Sequence, residues 1–316
     1  MYSRGVRRIL VTGGAGFIGS NLVSQLLSVE DDEISVTVLD SFTYAADLHN
    51  LPTDKRLEVV KGDVRDSEVV LREVSRCDEV FHLAAESHVD RSIRDSRIFM
   101  ETNAIGTLNV LEAVRAHVKR LVLVSTDEVY GSLDTDYAEE NSRLLPSSPY
   151  SASKAAADLL ALAYFKTYRT DVIITRCTNN YGFNQFPEKL IPAVIQAALN
   201  GKQVPVYGSG NNVRDWIHVS DHCSGLRLAM QKGRAGEIYN FGDVEHVKNI
   251  DLVKAILNEL GVSHSQIEFV TDRPGHDFRY AVNTRKSREE LGWKPERNLD
   301  NSLSETVAHY KRKFSI

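Results

Sequence analysis

The stretch Ile9-Leu10-Val11-Thr12-Gly13-Gly14-Ala15-Gly16-Phe17-Ile18-Gly19 decides the fold of this 316-residue chain. Its apolar start predicts a buried strand, and its glycines match both the GxGxxG and the GxxGxxG patterns. Such glycines permit a tight turn, let the backbone approach a pyrophosphate, and precede a helix whose free N–H groups face the phosphate. The stretch therefore predicts a dinucleotide-binding unit with Gly13, Gly16 and Gly19 at its turn. The alternative is an ordinary glycine-rich turn.

Short apolar runs alternate with longer segments of helical period over the first 180 residues. Strands are predicted at residues 9–12, 34–40, 57–61, 79–83, 121–125 and 172–176, and helices, for example, at 17–27 and 104–116. Most of these strands are apolar without alternation, as is typical of parallel strands covered on both faces. The pattern predicts the α/β class, with a Rossmann-type doubly wound parallel sheet.

The elements become shorter and more mixed after about residue 180. A helix is predicted at 190–199, a strand at 204–207, and helices around 221–231 and 250–260. We therefore expect an NAD-binding domain over residues 1–180, which can also receive later segments, and a smaller mixed α/β domain that binds the substrate over residues 181–316.

Composition excludes several classes of protein. Hydrophobic residues make up 42% of the chain and charged residues 26%, which is ordinary for a globular protein. The net charge of -5, without a block of five like charges, predicts neither a nucleic-acid partner nor an anionic membrane surface.

Cysteines and apolar runs indicate the compartment. Cys77, Cys177 and Cys223 lie far apart without a CxxC pair, which predicts no disulfide framework and no metal site, and suits the reducing cytoplasm. The apolar run that follows the basic N-terminus is too short for a signal peptide, and no stretch of about 18 apolar residues could span a membrane. We expect a cytoplasmic protein with no membrane partner.

Two carboxylates follow predicted strands where the adenosine half of a dinucleotide would lie. Asp40 ends the second strand, 21 residues beyond Gly19, where it can accept both ribose hydroxyls and would repel a 2′-phosphate. NAD is therefore favoured over NADP, although Asp40 could instead only cap the next segment. Asp63, just after the end of the third strand, lies where the adenine would be.

Acidic and basic side chains follow the fifth predicted strand. It runs into Ser125-Thr126-Asp127-Glu128-Val129-Tyr130-Gly131, at the edge of the sheet where open α/β proteins bind ligands. Tyr150 and Lys154 then open a helix, where a spacing of four residues puts the phenol and the ammonium on one face. Because a phenol has a pKa near 10, oxidation of an alcohol needs cations that stabilise the phenolate. The alternative is a tyrosine and a lysine on a surface helix.

The pair Asp127-Glu128 is typical of a dehydratase rather than a plain oxidoreductase. Loss of water from a hexose needs one group that takes the C5 proton and another that protonates the departing C6 hydroxyl. C5–H becomes acidic only after C4 is oxidised, so the order is oxidation, elimination, and return of the hydride to C6. Consecutive residues of a regular strand face opposite sides, so this interpretation requires the strand to end before the pair. The alternative is a solvated acidic turn.

With these motifs the chain resembles the dTDP-glucose 4,6-dehydratases of the extended short-chain dehydrogenase/reductase family, over nearly its whole length. The similarity is carried by His82-Leu-Ala-Ala-Glu-Ser-His-Val-Asp-Arg-Ser92, by residues 125–131 and 148–154, by Arg176-Cys-Thr-Asn-Asn-Tyr-Gly182, by Phe186-Pro-Glu-Lys-Leu-Ile-Pro192, by 214–216, and by Asp272-Arg-Pro-Gly-His276. The resemblance implies dehydration of dTDP-glucose to dTDP-4-keto-6-deoxyglucose with NAD as cofactor, and a homodimer formed through the helices after Asn103 and Tyr150.

The resemblance also implies residue roles. Tyr150 would be the base for the C4 hydroxyl, supported by Lys154; Asp127 the acid at C6; Glu128 the base at C5; and Thr126 a hydrogen-bond partner of the sugar. Cofactor contacts, including the glycines and the tyrosine–lysine pair, would be Gly13, Gly16, Phe17, Ile18, Gly19, Asp40, Ser41, Thr43, Asp63, Val64, Leu83, Ala84, Ala85, Ser87, Thr102, Tyr150, Lys154 and Asn180. Substrate contacts would be Ser87, Thr126, Asn179, Lys189, Leu190, Pro205, Tyr207, Arg214, Asn249, Arg273 and His276.

Three places depart from the family pattern. Phe183-Asn184 stands where Pro-Tyr is usual, Ala46 where Gly is usual, and Asp243 where the second Gly of a pair is usual. These differences leave open whether the base is thymine or uracil and which hexose is bound. The other functions considered are a nucleotide-sugar 4-epimerase or decarboxylase, which usually lack the Asp-Glu pair, and a non-catalytic NAD-binding module, which commonly lacks the tyrosine or the lysine.

Overall fold

The computed structural model describes residues 6–28, 34–117, 119–242 and 246–314. Its strands are β1 (Arg7–Thr12), β2 (Ile34–Asp40), β3 (Leu57–Lys61), β4 (Glu79–His82), β5 (Arg120–Thr126), β6 (Val172–Cys177), β7 (Asn179–Tyr181), β8 (Val204–Tyr207), β9 (Val213–His218), β10 (Ile238–Phe241), β11 (His246–Lys248) and β12 (Ile267–Val270). Its helices are α1 (Phe17–Leu27), α2 (Ser67–Ser75), α3 (Val89–Arg94), α4 (Ser96–Phe99), α5 (Gly106–His117), α6 (Pro149–Tyr168), α7 (Leu190–Leu199), α8 (Val219–Lys232), α9 (Asn249–Leu260) and α10 (Leu299–Phe314).

The central sheet confirms the predicted fold class. Over the described ranges it has seven strands in the order β3-β2-β1-β4-β5-β6-β10, and every neighbouring pair is parallel. The order reverses between β1 and β4, which is the doubly wound arrangement that opens a ligand crevice at the carboxyl ends of the strands.

Alternate side chains of each central strand enter two different cores, which explains why these strands read as unbroken apolar runs. In β1, Ile9 and Val11 pack into the cluster beneath α1 and α8, whereas Leu10 packs into the cluster beneath α2, α5 and α6. Because both faces are covered, every position of the strand has to be apolar.

The predicted elements agree closely with those observed. All six predicted strands are present, two of them with the predicted bounds. The other four differ at their ends by one or two residues: β1 begins at Arg7, β4 stops at His82, β5 covers Arg120–Thr126, and β6 ends at Cys177. The helix predicted at 104–116 begins at Gly106, because a π-helical turn over Met100–Ile105 precedes it.

The later part of the chain builds its own core and also returns to the central sheet. Helices α7, α9 and α10 enclose a separate apolar cluster with β8 and with Trp216 of β9. Strand β10, however, pairs with β6 in the central sheet. The division into domains at residue 180 stays a prediction.

A buried ion pair fastens α6, the helix that carries Tyr150 and Lys154, to strand β6. Nε of Arg176 donates to Oδ2 of Asp158 at 2.8 Å, and both side chains are almost fully buried. The guanidinium also lies over the ring of Tyr130, 4.7 Å from its centroid.

Among the described residues, none of the helices has both the length and the hydropathy that a membrane span requires.

We expect Asp158→Asn to lower the free energy of unfolding by about 3–5 kcal/mol, because it leaves the charge of Arg176 buried without a counter-ion. Asp171→Asn is the matched control, since the pair between Arg120 and Asp171 is partly exposed and should contribute less than about 1 kcal/mol. Urea unfolding of both variants measures the difference. Equal losses would show that the buried pair has no special importance.

Candidate active site

A cleft of about 970 Å³ opens at the carboxyl ends of the central strands. Its wall contains all five predicted catalytic residues: Thr126, Asp127, Glu128, Tyr150 and Lys154. It also contains every other predicted cofactor residue, namely Gly13, Gly16, Phe17, Ile18, Gly19, Asp40, Ser41, Thr43, Asp63, Val64, Leu83, Ala84, Ala85, Ser87, Thr102 and Asn180, together with the predicted substrate residues Asn179 and Lys189. The volume is at the upper end of the range for ligand pockets, which suits two ligands rather than one small molecule.

Glycine occupies the positions of the first turn for different structural reasons. Gly13 has a φ of +69°, and a Cβ there would lie 2.7 Å from the backbone nitrogen of Ala84. A Cβ at Gly19 would lie 2.2 Å from the carbonyl oxygen of Gly13, so close packing of α1 on the turn requires glycine. A Cβ at Gly16 would meet no described protein atom closer than 3.4 Å. The protein itself thus has no steric need for glycine at position 16, and the open space in front of it permits close approach of a ligand.

The N-terminus of α1 adds a place for an anion. Gly16 is its N-cap residue and supplies no side-chain oxygen to the first turn. Uncapped N–H groups and the positive end of the helix dipole attract phosphate oxygens.

The two carboxylates predicted near the adenosine stand in different electrostatic settings. Asp40 is buried and accepts from the backbone nitrogens of Ala15 at 3.0 Å and Phe42 at 2.9 Å, and burial raises its pKa above the usual value. Asp63 forms an ion pair with Arg65 at 2.6 Å, and the hydrogen bonds from that guanidinium lower its pKa. Asp40 is thus held rigidly by main-chain donors.

The consecutive acids share one cleft because β5 ends at Thr126. Asp127 and Glu128 lie in a 3₁₀ turn, Asp127–Tyr130, and both line the cavity. The hydroxyl of Thr126 donates to Oδ1 of Asp127 at 3.2 Å and accepts from the backbone nitrogen of Glu128 at 3.3 Å. The structural condition that the sequence set for a dehydratase is therefore met.

Burial and neighbouring charge separate the two acids. Burial, reinforced by the negative charge of Glu128, raises the pKa of Asp127 to about 8. Burial also raises the pKa of Glu128, but the cations of Arg273, Lys189 and Arg214 oppose that rise. At neutral pH, Asp127 thus carries a proton that it can donate, while its neighbour faces cations that favour the carboxylate.

The helix that carries Tyr150 starts at a well-formed cap. Ser148 accepts from the backbone nitrogen of Ser151, and Pro149 occupies the first turn. Nζ of Lys154 donates to the carbonyl oxygen of Val124 at 2.7 Å, which fixes the ammonium against β5. Burial lowers the pKa of Lys154 and raises that of Tyr150. As it stands the phenol is protonated, and it becomes a base only when more positive charge lies beside it.

A buried chain of hydrogen bonds reaches the backbone of Tyr150, and sequence reasoning missed it. Nδ2 of Asn103, in the π-helical turn, donates to Oγ of Ser153 at 2.8 Å, and Ser153 donates to the carbonyl oxygen of Tyr150 at 2.7 Å. Asn103 also pairs with the backbone of Glu86 in both directions. The turn therefore positions the start of α6 against the wall of the cleft.

The remaining predicted substrate residues lie beyond the wall of this cavity. Tyr207 donates from its hydroxyl to Oδ2 of Asp90 at 2.9 Å, and Arg273 lies 3.6 Å from Oδ1 of the same carboxylate, which does line the cleft. The guanidinium of Arg214 is buried, donates to the carbonyl oxygen of Asp277, and lies over the ring of Tyr280. Arg273 thus adjoins the cleft beside Asp90, a residue that sequence reasoning did not single out, and Arg214 lies near the two acids Asp127 and Glu128.

The other four predicted substrate residues do not line the cavity. His276 is bound to Asp272, with 2.6 Å between Nδ1 and Oδ1. Leu190 begins α7, Pro205 lies exposed in β8, and Asn249 begins α9. The structure does not place these four on the wall of the cavity.

The departures from the family pattern fall in different surroundings. The ring of Phe183 stacks on His309 of α10, with centroids 4.4 Å apart, and Asn184 adopts a φ of +70° that asparagine tolerates. Ala46 lines the cleft. Asp243 lies outside the described residues. The substituted ring at 183 thus packs against α10 rather than on the wall of the catalytic cleft.

We expect Asp127→Asn to stabilise the chain more at high pH than at low pH. A carboxyl with a pKa of about 8 in the folded chain, and about 3.9 in the unfolded one, binds its proton more tightly when folded. Stability is therefore lost as pH rises through this window, and the asparagine avoids that loss. Urea unfolding from pH 4 to pH 9 measures the effect, with the exposed Asp134→Asn as control. A stability difference between variant and parent that does not change with pH would contradict the shifted pKa.

The comparisons with known proteins agree with this geometry. The family model described as GDP-mannose 4,6 dehydratase matches residues 10–306. A dTDP-glucose 4,6-dehydratase from Actinoplanes sp. is 48% identical over 312 residues, covering 96% of this chain and 98% of that protein. A dTDP-glucose 4,6-dehydratase from Streptomyces venezuelae, solved with NAD bound, superposes with a TM-score of 0.94 at 48% identity and covers 98% of both chains.

An enzyme of different activity shares the fold at lower identity. A UDP-glucose 4-epimerase from Thermotoga maritima, solved with UDP-glucose, is 29% identical, with a TM-score of 0.90, and the match covers 97% of this chain and 99% of that one. The shared fold alone therefore does not separate dehydration from epimerisation. Family model and relatives together confirm the resemblance that the sequence predicted: the chain belongs to the GDP-mannose 4,6 dehydratase family, within which it is similar to dTDP-glucose 4,6-dehydratases.

Proposed function

We propose that this chain is a hydro-lyase that converts dTDP-glucose to dTDP-4-keto-6-deoxyglucose with NAD as its cofactor. The observation that carries the proposal is the single cleft that holds Asp127, Glu128, Tyr150 and Lys154 beside the glycine-rich turn. Relatives named dTDP-glucose 4,6-dehydratase support the same substrate. The product is an activated deoxysugar precursor.

The residues of the first turn and of β2 fit NAD. The open approach at Gly16 and the uncapped start of α1 suit its pyrophosphate, and Asp40 suits the unphosphorylated adenosine ribose. Bound there, NAD supplies the acceptor for the hydride from C4 and the donor of the same hydride to C6. The protein's own groups have to move the protons and hold the sugar.

Tyr150 takes the proton of the C4 hydroxyl. Its phenol is buried, so proton loss needs a nearby cation, and Lys154 on the same face of α6 is one such group. Thr126, which also hydrogen-bonds Tyr150, is placed to orient the sugar between the phenol and the acids. Oxidation of C4 comes first because it makes C5–H acidic.

The acids then remove water. Glu128 takes the C5 proton, and Asp127, protonated at neutral pH, gives its proton to the C6 hydroxyl as that oxygen leaves. The proton on Glu128 exchanges with solvent, and Glu128 then protonates C5 as hydride arrives at C6. The proton that Tyr150 took from the C4 hydroxyl replaces the one that Asp127 gave up. One water leaves, and the coenzyme ends in the state in which it began.

Cations beside the cleft hold the diphosphate. Arg214 and Arg273 form with Lys189 a group of positive charges near Glu128. A nucleoside diphosphate carries about two negative charges and is bound through charge-assisted hydrogen bonds. The same charges keep Glu128 available as a base.

A homodimer in the cytoplasm completes the proposal. Helices α5 and α6 pack side by side, and Ile105, Leu159 and Met100 expose apolar side chains on or beside them. Exposed apolar groups that cluster on one surface are typical of subunit contacts.

Incubation with dTDP-glucose in heavy water tests the proposed reaction. We expect a product that has lost one water, carries solvent deuterium at C5, and carries the former C4 hydrogen at C6, as read by mass spectrometry and NMR. UDP-glucose, incubated in parallel, tests the base. A product of unchanged mass with inverted C4 would mean epimerisation and would overturn the proposal.

The variant Glu128→Gln separates the steps of the same assay. It retains Tyr150 and Lys154, so C4 should still be oxidised and NADH absorbance should appear, but elimination should fall by about 10²–10⁴-fold. Undiminished formation of the dehydrated product would exclude Glu128 as the base.

The variant Leu159→Arg tests the proposed dimer. We expect it to shift the chain toward monomer in sedimentation experiments, because a charge at the contact has to be desolvated. Leu48→Arg is the matched control, since Leu48 is similarly exposed but belongs to a 3₁₀ turn after β2 rather than to α5 or α6. A parent chain that sediments as a monomer would disprove the dimer.

A further inference from the structure

Four side chains on the wall of the cleft link three separate segments of the chain. None of the four has a part in the proposed chemistry. Tyr44 belongs to the loop after β2, Arg91 to α3, and Phe186 and Glu188 to the loop before α7. All four line the same cleft as the catalytic residues. We call these four side chains the bridge.

The contacts within the bridge are continuous. The guanidinium of Arg91 lies over the ring of Tyr44, with Cζ 3.7 Å from the centroid, and its Nε donates to Oε2 of Glu188 at 3.0 Å. The ring of Tyr44 meets Phe186 edge to face, with centroids 5.4 Å apart. A cation thus sits between an aromatic face and a carboxylate, which joins both loops to α3.

Both ends of the bridge are fastened to the glycine-rich unit. On one side, the backbone nitrogen of Asp47 donates to the carbonyl oxygen of Ala15 at 3.1 Å. On the other, Nδ2 of Asn21 in α1 donates to the carbonyl oxygen of Phe183 at 3.1 Å. The bridge therefore connects two walls of the cleft beside the turn that fits the pyrophosphate.

The proposed reaction does not require the coenzyme to leave the cleft, so a link between the two walls can be kept from one turnover to the next. Hydrogen taken from C4 is returned to C6, so each turnover ends with the coenzyme ready for the next one. The sugar has to leave after every turnover, whereas the coenzyme does not. Of the cations proposed to hold the diphosphate, Arg273 pairs with Asp90, and none belongs to the bridge.

We propose that Tyr44 and Arg91 are positioning residues that retain NAD in the cleft between turnovers, by closing the two walls around it. The proposal rests on the proposed function, because only a cycle that restores the coenzyme makes retention useful. Release of NAD then requires the contacts among Tyr44, Arg91 and Glu188 to open first.

The rate at which NAD leaves the purified protein tests the bridge without relying on dehydratase turnover. The NAD-loaded chain is freed of excess coenzyme, and released NAD is trapped by added alcohol dehydrogenase with ethanol and read as NADH. We expect Arg91→Gln and Tyr44→Ala each to release NAD about ten-fold faster, which corresponds to the loss of contacts worth about 1.4 kcal/mol. Their circular dichroism and unfolding midpoints show whether they remain folded.

Two matched controls isolate the contacts. Tyr44→Phe keeps the ring that Arg91 covers and loses only the hydroxyl, whose contacts are a long hydrogen bond to Glu86, at 3.5 Å, and an interaction with Glu188. Arg94→Gln removes a cation from the same helix, on the same wall of the cleft. Both should release NAD within about two-fold of the parent. Glu188→Gln, which keeps the shape of the side chain and weakens the ion pair, should fall between the two groups.

The outcomes separate the bridge from the proposed function. Faster release from Arg91→Gln and Tyr44→Ala, but not from the controls, supports the bridge. Release at the parental rate from both would overturn it, whatever the catalytic result. A parent that retains NAD but leaves dTDP-glucose unchanged would disprove the proposed function alone, and a parent that does not bind NAD would disprove both.

Discussion

The active site depends on the point at which β5 ends. A regular strand would send Asp127 and Glu128 to opposite faces of the sheet, one of them into a packed core. Because the extended backbone stops at Thr126 and turns into a 3₁₀ turn, both carboxyl groups face the same cleft. The hydroxyl of Thr126 supports the turn by accepting from the backbone of Glu128 and donating to Asp127. A single hydroxyl therefore links the end of the strand to the placement of both acids.

The surrounding elements of the fold hold Tyr150 and Lys154 close to the end of β5. Helix α6 lies beside β5, where the ammonium of Lys154 binds the carbonyl oxygen of Val124, two residues before the strand ends. The buried pair of Asp158 and Arg176 fastens the same helix to β6. Tyr150 is positioned from its other side by Ser153 and Asn103. The phenol and the two acids thus depend on neighbouring strands of one sheet, which resist relative movement because both faces are packed.

The sequence was sufficient for the central sheet and for the residues that follow its strands, but not for contacts between distant segments. Strands such as β1 and β5 are predictable because burial on both faces demands unbroken apolar runs. Strand β10 was missed because its four residues carry too little pattern, and its place beside β6 is a property of the tertiary fold. The contacts of Asp90 with Tyr207 and Arg273 join residues more than a hundred positions apart, and no local pattern encodes them. The same reason hides Arg91 and Glu188, although both lie in stretches that resemble the family.

Burial acts on the acid and on the base in opposite senses. For Asp127, loss of solvent favours the neutral carboxyl, which is the form a general acid needs at neutral pH. For Tyr150, the same loss of solvent favours the neutral phenol, which is the wrong form for a general base, and burial also lowers the pKa of its helper Lys154. One environment thus prepares the acid permanently but leaves the base inactive until a further cation enters the cleft. NAD bound in the cleft would supply such a charge, which would couple the first chemical step to an occupied cofactor site. A structure that holds the cofactor across turnovers would keep the base in its active form.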